Sequence, residues 1–563
     1  IYSATPLVFW VAISVSVVVC VLLLFNESKN QGKRWLFALG ILMVNGILVL
    51  QLSMLRGYYA AGTDTLVHIG YVKDLVNGII SAQNAYPAVH GIPTLLVLIG
   101  LSAETAVNIS PSISYVIYVA SIYGLARIIW SEKRYVVIAT TLSAFLLLPQ
   151  GVGFAATLVA AVLFPATLMV MLKLRKDFKV WQLAVFLLIL AVLSLLHPIA
   201  LEVTIIAMVV ACFMPLQKRW RFVAMTVLLI PLAFWWYAFW YDMNVVSVVA
   251  EDIMGGMNPL AVAPPAEVFP NPVAIPSDGT IPQIVNGELG LLPSTEGIRA
   301  TQVMGNANMP MLLLSRYGAE ILLGILAIVA LFGMAKAYAK KSELKAYQVY
   351  FGILFIVFNL MWVGGWYLGL PVYNAMLSRI LNWVPVVSII LVTPMVVASK
   401  KFKRALLVIL LLAISVGSFA NLYPSPITGV VNSQITYQHY NGIEWLVENG
   451  DPDIPIVHLG NHRVSRFVQA MYGMEWARNN QKQYWLHDRT YLKGFSYNDK
   501  ESIGMDIPKD VYLVVLKSDR TMTRWENDQL YLLESDPATT LIYQDGDEFE
   551  VWFVESYELD SSS

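Results

Sequence analysis

The sequence predicts a polytopic α-helical membrane protein of about twelve spans that ends in a small extracytoplasmic α/β domain. Composition is the first of three observations behind this fold class. Of the 563 residues, 57% are hydrophobic and 13% are charged, against roughly 25% charged in soluble domains. Apolar runs near the ~20 residues that cross a bilayer also recur as far as residue 421. Beyond that point, short β-branched and aromatic runs replace them.

Twelve apolar runs are predicted to cross the membrane as helices. They are 6–25, 35–55, 112–130, 135–149, 151–172, 180–196, 199–215, 222–241, 311–335, 346–370, 380–399 and 405–421. A further apolar run, 91–102, is only a dozen residues long.

The basic residues between the runs orient the chain, because cytoplasmic loops carry the excess of Lys and Arg. If 91–102 does not cross the bilayer, all six basic clusters lie on one side, which is then the cytoplasmic side. The clusters are Lys29/Lys33/Arg34, Lys133/Arg134, Lys173/Arg175/Lys176/Lys179, Lys218/Arg219/Arg221, Lys336/Lys340/Lys341 and Lys400/Lys401/Lys403/Arg404. We therefore predict a multi-pass protein of the plasma membrane in which 91–102 re-enters the membrane or lies at its interface.

The external side then holds the long loops 56–111 and 242–310 and everything from residue 422 onward. The chain thus divides into a transmembrane domain, 1–421, and an extracytoplasmic domain, 422–563. In the second domain we expect a helix near Val464–Arg478 and a hairpin turn at Asp545-Gly546-Asp547. Four short strands are predicted, at Ile454–Leu459, Val511–Leu516, Thr540–Tyr543 and Phe549–Val554. The closing Asp-Ser-Ser-Ser is expected to be disordered.

Charge and cysteine content exclude several function classes. The net charge of −1 lacks the basic footprint that a nucleic-acid partner needs. The two cysteines, Cys20 and Cys212, both lie in apolar spans, so neither a disulfide framework nor a cysteine-based zinc site is expected.

The first external loop carries the residues that best suit catalysis. Asp64 and His68 stand four positions apart, which places them on one face of a helix. A carboxylate here could accept a proton from an acceptor hydroxyl or amide, or bind a divalent cation such as Mg²⁺ or Mn²⁺. The alternative is that Asp64 caps the N-terminus of the helix that follows, and that His68 is a hydrogen-bonded interfacial histidine.

Three further residues are candidates for a polar pocket. His90 opens the short apolar run, and His197 lies at an external helix boundary, where it could equally cap neighbouring backbone groups. Glu202 lies inside a predicted span about one turn beyond His197, so the two are expected to share a pocket. Glu104, by contrast, is expected to be a solvated loop acid.

Two arginines lie at external starts of spans, against the positive-inside pattern. Arg379 opens the span 380–399, and Arg316 lies at the start of 311–335. A guanidinium fork suits a lipid-linked phosphate or pyrophosphate. The alternative is an interfacial arginine whose charged end reaches toward water.

Taken together, these motifs resemble the GT-C superfamily of membrane glycosyltransferases. The superfamily includes oligosaccharyltransferase catalytic subunits, protein O-mannosyltransferases and aminoarabinose transferases. The resemblance rests on Gly62-Thr63-Asp64 just beyond a span, the amphipathic stretch that follows, and Tyr86-Pro87. Pro149 at a second external junction, the late external arginine and the extracytoplasmic domain complete it.

The resemblance implies an inverting transfer of sugar from a polyprenyl-phosphate donor to a protein, glycan or lipid acceptor on the external face of the membrane. Asp64 would be the base or a metal-positioning acid. The first loop lacks the Asp-x-Asp of oligosaccharyltransferases, and the tail lacks their Trp-Trp-Asp signature. A lipid-monophosphate donor and a metal-independent mechanism therefore fit better. The rival interpretation is a non-enzymatic membrane protein, either a transporter or an assembly subunit that binds partners through its external loops and C-terminal domain.

Overall fold

The structure is a computed structural model that describes most of the chain. The described residues are 5–27, 33–80, 84, 86–145, 153–213, 309–339, 345–367, 379–398, 434–458, 464–480, 501–505, 509–517 and 530–557, with short pieces at 223, 225–230, 232–233, 408–410, 412–413, 422–423, 497 and 507. Residues 242–308 of the loop 242–310, Pro149 and the closing residues 558–563 lie outside them. The predicted spans 222–241 and 405–421 are described only in fragments.

Helices dominate the first 400 residues. They span Leu7–Glu27, Arg34–Leu50, Leu52–Leu55, Thr63–Val76, Gly91–Leu98, Ala103–Ile129, Lys133–Phe145, Ala156–Lys176, Val180–Leu196, Pro198–Cys212, Met309–Ala339, Ala346–Tyr367 and Val384–Ala398. Five segments in the described residues are long and apolar enough to cross a membrane: Leu7–Leu24, Ala103–Ile129, Ala156–Lys176, Gly318–Ala339 and Ile380–Ala398. The predicted α-helical class with membrane-spanning helices is confirmed, and the count of twelve spans stays a prediction.

The outer faces of these helices are apolar. Phe37 is 74% exposed, Phe332 is 71% exposed, and Val180 and Leu188 are also largely exposed. Side chains of this size facing outward along whole helices would be costly in water, since each buried equivalent is worth about 1.5–3 kcal/mol. Lipid hydrocarbon is the solvent that suits such a surface.

The short apolar run and the helix after it differ from a pair of spans. The helix Gly91–Leu98 has 8 residues, which at 1.5 Å per residue cover about 12 Å of a ~30 Å hydrocarbon core. The next helix begins at Ala103, nine residues before the predicted start at 112, because the Ser102 hydroxyl accepts from the Thr105 N–H (3.2 Å). Pro111 lies inside this helix.

Two short strands, β1 (Tyr58–Ala60) and β2 (Ile435–Thr436), pair with each other. The C-terminal segment also contains a four-stranded sheet, whose strands are β3 (Ile456–His458), β4 (Val511–Leu516), β5 (Thr539–Asp545) and β6 (Phe549–Val554). Their order in the sheet is β3-β4-β6-β5. β3 and β4 are parallel, and the other pairs are antiparallel. The described part of the C-terminal segment also contains two 3₁₀ turns, Ile503–Met505 and Leu530–Glu534. Its helices are Tyr437–Asn449, Val464–Tyr472 and Met474–Asn479.

The helix predicted over Val464–Arg478 is interrupted at Gly473. This residue adopts a φ of +95°, which favours glycine over any residue with a side chain. The second helix, Met474–Asn479, starts immediately afterwards, and the backbone N–H of Glu475 donates to the Asp74 carboxylate (3.0 Å). A carboxylate from the loop 56–111 thus caps a helix of the C-terminal segment.

The loop 56–111 and the C-terminal segment are packed together. The β1–β2 pair joins Tyr58 to Thr436, and the Tyr59 ring stacks on Tyr440 with ring centroids 4.2 Å apart. Two helices form the rest of this contact, and we call them the loop helix (Thr63–Val76) and the tail helix (Val464–Tyr472). Their approach is close enough that Gly70 faces the backbone carbonyl of Gln469.

Candidate functional site

Asp64 lies in the first turn of the loop helix and is not used as a cap. Gly62 is the N-cap residue, and no side chain caps this terminus. The Asp64 side chain is 79% exposed. The alternative that Asp64 is an N-cap is therefore wrong, and its carboxylate is accessible at the surface of the loop.

The cation beside Asp64 comes from the far end of the chain. Arg466, on the tail helix, places Nη1 at 2.5 Å from Oδ1 of Asp64, and its side chain is 26% exposed. No sequence signal pointed to Arg466, because the two residues are 402 positions apart.

Two further contacts fix the loop helix against its surroundings. The Lys73 ammonium donates to the backbone carbonyl of Met471 (3.2 Å) and forms an ion pair with Glu104 (3.2 Å). The Tyr59 hydroxyl also donates to Glu104 (3.3 Å). The expectation that Glu104 is a solvated loop acid is thus wrong, because the helix Ala103–Ile129 starts early enough to bring it under the loop helix.

His68 and His90 form a direct imidazole pair one turn below Asp64. Nδ1 of His68 lies 2.8 Å from Nε2 of His90, and the His68 ring packs edge-on against Phe154 at 5.0 Å. The pKa of His68 is lowered to about 4, chiefly by burial. Asp64 acts in the opposite direction, and Arg466 adds to the lowering. Burial also lowers the pKa of His90 well below its usual value.

His197 is connected to the His68–His90 pair through Asn84 and Tyr86, which precede the helix Gly91–Leu98. Asn84 Nδ2 lies 3.3 Å from His90 Nδ1, and the Tyr86 ring stacks on His197 with centroids 5.1 Å apart. His197 Nδ1 accepts from the backbone N–H of Ile199 (3.2 Å), so it caps the helix that follows it. The structure therefore brings His68, His90 and His197 into one neighbourhood.

Glu202 was expected to share a pocket with His197, but it does not join this group. Its side chain is exposed, whereas His197 is buried. The helix begins at Pro198, and positions 197 and 202 lie on different faces of it. The structure therefore does not support the polar pocket that the sequence suggested for the two residues.

The predicted phosphate ligands are only partly described. Arg379 begins a 3₁₀ turn, Arg379–Asn382, and Arg316 lies within the helix Met309–Ala339. Both side chains lie outside the described residues, so their role stays a prediction. Among the residues that the structure describes, no group of three or more His, Cys, Asp or Glu side chains is arranged to hold a metal ion.

One helix relates this site to the predicted cytoplasmic side. Ala156–Lys176 begins two residues after Phe154, the residue that contacts His68. Its 21 residues rise about 32 Å, and its last turn carries Lys173, Arg175 and Lys176. The candidate site and this basic cluster therefore lie at opposite ends of one membrane-length helix.

Comparisons with known proteins give structural neighbours without sequence relatives. No family model and no curated protein matches the chain. The oligosaccharyltransferase of Archaeoglobus fulgidus is similar at 14% identity and a TM-score of 0.48, over 94% of this chain and 75% of that one. A structure of the oligosaccharyltransferase AglB from the same organism, with an inhibitory peptide and a dolichol-phosphate, gives 12% identity, a TM-score of 0.47 and coverage of 94% and 76%. ArnT of Cupriavidus metallidurans gives 13% identity and 0.37, over 91% and 97%.

These neighbours are GT-C glycosyltransferases. They come from the superfamily that the first-loop motifs resemble. Identities of 14% and below, with TM-scores below 0.5, do not carry an activity from those proteins to this chain.

Proposed function

We propose that the protein is a membrane glycosyltransferase that moves a sugar from a polyprenyl-phosphate donor to an acceptor on the extracytoplasmic face. One observation carries this proposal. Asp64 is an exposed carboxylate on a helix that is packed on both sides, at the membrane edge, where an ionisable side chain is more often functional than structural. The resemblance of Gly62-Thr63-Asp64 and Tyr86-Pro87 to GT-C motifs supplies the donor class.

In the proposed reaction, Asp64 accepts a proton from the acceptor hydroxyl or amide as that group attacks the anomeric carbon. The bond between the anomeric carbon and the phosphate oxygen breaks, and the lipid phosphate leaves with the electron pair. Attack from the face opposite the leaving group inverts the configuration at the anomeric carbon. Arg379 and Arg316 would bind the phosphate, whose charge grows in the transition state.

The ion pair with Arg466 suggests which carboxylate oxygen acts. Arg466 contacts Oδ1, and among the described contacts Oδ2 has no donor. Oδ2 is therefore the oxygen that we expect to take the acceptor proton. Arg466 would hold the carboxylate in one orientation, which favours a fixed attack geometry.

The membrane environment agrees with a lipid-linked donor. The apolar outer faces of the helices support a position in which the loop helix lies at the bilayer edge. There, a polyprenyl chain would lie in hydrocarbon while its phosphate reaches the external loops. A protein, glycan or lipid acceptor would reach the site on the external face. Membrane lipids would surround the helices as their solvent.

The test is sugar transfer from polyprenyl-phosphate sugars by the purified protein in lipid nanodiscs. Asp64→Asn keeps the size of the side chain and removes the base, so transfer is expected to fall by at least about 100-fold. Asp177→Asn is the matched control, because Asp177 is also an exposed, ion-paired aspartate but lies at the basic end of its helix. Wild-type turnover in Asp64→Asn would reject the assignment.

The same assay separates catalysis from a purely structural ion pair. A charge exchange, Asp64→Arg with Arg466→Asp, restores the attraction but moves the carboxylate to the tail helix. A structural role predicts that the exchange recovers activity, whereas a base at position 64 predicts that it stays inactive. Assays with added Mg²⁺ or Mn²⁺ and with chelator would decide whether Asp64 also needs a divalent cation.

The rival interpretation is a transporter or an assembly subunit. It predicts no turnover with any polyprenyl-phosphate sugar in a well-folded sample. Nothing in the described residues favours it over transfer.

A further inference from the structure

The buried amide of Asn84 determines where protons lie in the neighbouring histidines. The backbone N–H of Tyr86 donates to Oδ1 of Asn84 (3.2 Å), which leaves Nδ2 on the side of His90, 3.3 Å from its Nδ1. Rotating the amide by half a turn would place two N–H donors against each other at Tyr86. An amide nitrogen only donates, so Nδ1 of His90 accepts and carries no proton.

The same direction of hydrogen bonding, from donor to acceptor, continues through both imidazole rings. His90 is fully buried and neutral, so its single proton is on Nε2. This nitrogen lies 2.8 Å from Nδ1 of His68, and His68 must therefore accept there. A neutral His68 then carries its proton on Nε2.

The remaining N–H of His68 has no acceptor among the contacts of the described residues. An N–H group left without a partner in a half-buried position loses hydrogen bonding that water supplies in the unfolded chain. Both Asp64 and Arg466 lie close enough to affect the charge state of His68. The free donor therefore belongs to the same site as the candidate base.

We propose that His68 is a hydrogen-bond donor to the substrate, held in its Nε2–H tautomer by Asn84 acting through His90. Its partner is an acceptor oxygen of the donor substrate, either a phosphate oxygen or a sugar hydroxyl. Asn84 and His90 are positioning residues, and His68 does not act as the base. This inference rests on the proposed transfer reaction.

The tautomers can be measured without any activity. The protein has 7 histidines, so a sample labelled with ¹⁵N in histidine only and held in nanodiscs gives a small set of ring signals. His68→Gln and His90→Gln variants assign the two pairs. Near neutral pH, we expect Nε2 to be protonated and Nδ1 unprotonated in both residues. A protonated Nδ1 in His68 would overturn the proposal.

Two substitutions at position 68 distinguish a donor from a base. The amide nitrogen of glutamine reaches the place of Nε2, and that of asparagine the place of Nδ1. For a donor at Nε2, we expect His68→Gln to stay within about tenfold of wild-type turnover and His68→Asn to lose about 100-fold. Thermal unfolding of both variants checks folding, and a base would instead make both equally inactive and remove a limb of the pH–rate profile.

Ligand binding separates the two sources of the acceptor oxygen. A polyprenyl monophosphate without sugar should shift the ¹⁵N signal of His68 Nε2 if the partner is a phosphate oxygen, and a methyl glycoside should do so if it is a hydroxyl. A signal that neither probe moves would overturn the substrate contact. If Asp64→Asn is inactive while the two His68 variants behave alike, this inference fails and the proposed glycosyltransferase stands.

Discussion

At the scale of single residues, the site combines an exposed acid with imidazoles that remain neutral. Asp64 is accessible on the loop helix, whereas His68 and His90 lose most of their water contact. The geometry opposes a proton on Nδ1 of His68, because that proton would bring two N–H groups together across the 2.8 Å contact with Nε2 of His90. The sequence pattern predicted that Asp64 and His68 share a face, but it gave no sign that His68 would pair with His90.

The low histidine pKa values predict an acid-sensitive fold. An unfolded histidine takes up its proton near pH 6.5, whereas His68 in the folded protein does so near pH 4. Protons therefore favour the unfolded state as pH falls through this window, and the stability present above pH 6.5 is progressively lost. The melting temperature between pH 7.5 and pH 4 measures this effect.

Removing His68 should flatten that pH dependence in part. His90 and His439 also have lowered pKa values and continue to contribute. His68→Gln is thus expected to reduce the slope of melting temperature against pH without abolishing it. An unchanged slope would show that His68 is not buried in the folded protein.

The Asp64–Arg466 ion pair should matter more for activity than for stability. Exposed ion pairs usually contribute about 0.2–1 kcal/mol. A double-mutant cycle with Asp64→Asn and Arg466→Gln, followed by thermal unfolding, should give a coupling free energy in that range. A coupling of several kcal/mol would mean that the pair mainly attaches the C-terminal segment to the loop.

At the scale of secondary structure, the contact between the loop helix and the tail helix depends on Gly70. A Cβ atom at this position would lie 2.5 Å from the carbonyl oxygen of Gln469. Backbone cannot rotate away as a flexible side chain does, so the two helices would have to separate.

Gly70→Ala is therefore expected to destabilise the protein by about 1–3 kcal/mol, as overpacking does. The control is Gly40→Ala, because Gly40 is also helical but a Cβ there meets nothing within 4 Å. Alanine there should be neutral or slightly stabilising. The melting temperatures of the two variants give the comparison, and equal effects would argue against close packing at Gly70.

Local signals predicted elements well wherever neighbours in the sequence determine them. The strands β4 and β6 have the bounds that alternation and β-branching predicted, and Gly546 adopts the positive φ of the expected turn. The break at Gly473 was missed, because hydrophobic periodicity continues across it. The capping carboxylate of Asp74 that accompanies the break is about 400 positions away.

At the scale of the whole molecule, the site and a basic cluster occupy the two ends of the helix Ala156–Lys176. The tail helix contacts the loop helix, so both helices lie at the same end of Ala156–Lys176 as the candidate site. The positive-inside rule predicts that this is the external side.

Labelling of single cysteines in intact cells tests this topology. In a background with Cys20 and Cys212 changed to serine, we expect Asp453→Cys to react with a membrane-impermeant maleimide from outside. Asp177→Cys should react only after permeabilisation, and both aspartates are exposed in the structure. The reverse pattern would invert the predicted orientation.

Much of the candidate site depends on contacts that no local pattern encodes. Asp64, His68, His90 and His197 were identifiable because each is a polar residue beside an apolar run. Arg466 and Phe154 are ordinary residues in their own segments, and they join the site only through packing between distant elements. Asn84 lies six positions from His90, but that spacing alone does not mark it as a hydrogen-bond partner. Glu202 was misplaced for the converse reason, since sequence proximity to His197 did not imply a shared face.

The distance along the chain between Asp64 and Arg466 also has a consequence for biosynthesis. A ribosome adds about 5–20 residues per second, so the 402 positions between them correspond to roughly 20–80 s of translation. Throughout that interval, the nascent loop helix presents its Gly70 face and an unpaired Asp64 without the segment that later covers them. A chain whose synthesis stops before residue 466 would therefore insert its first helices and still lack the arginine that pairs with Asp64, so the site assembles only after translation has passed the tail helix.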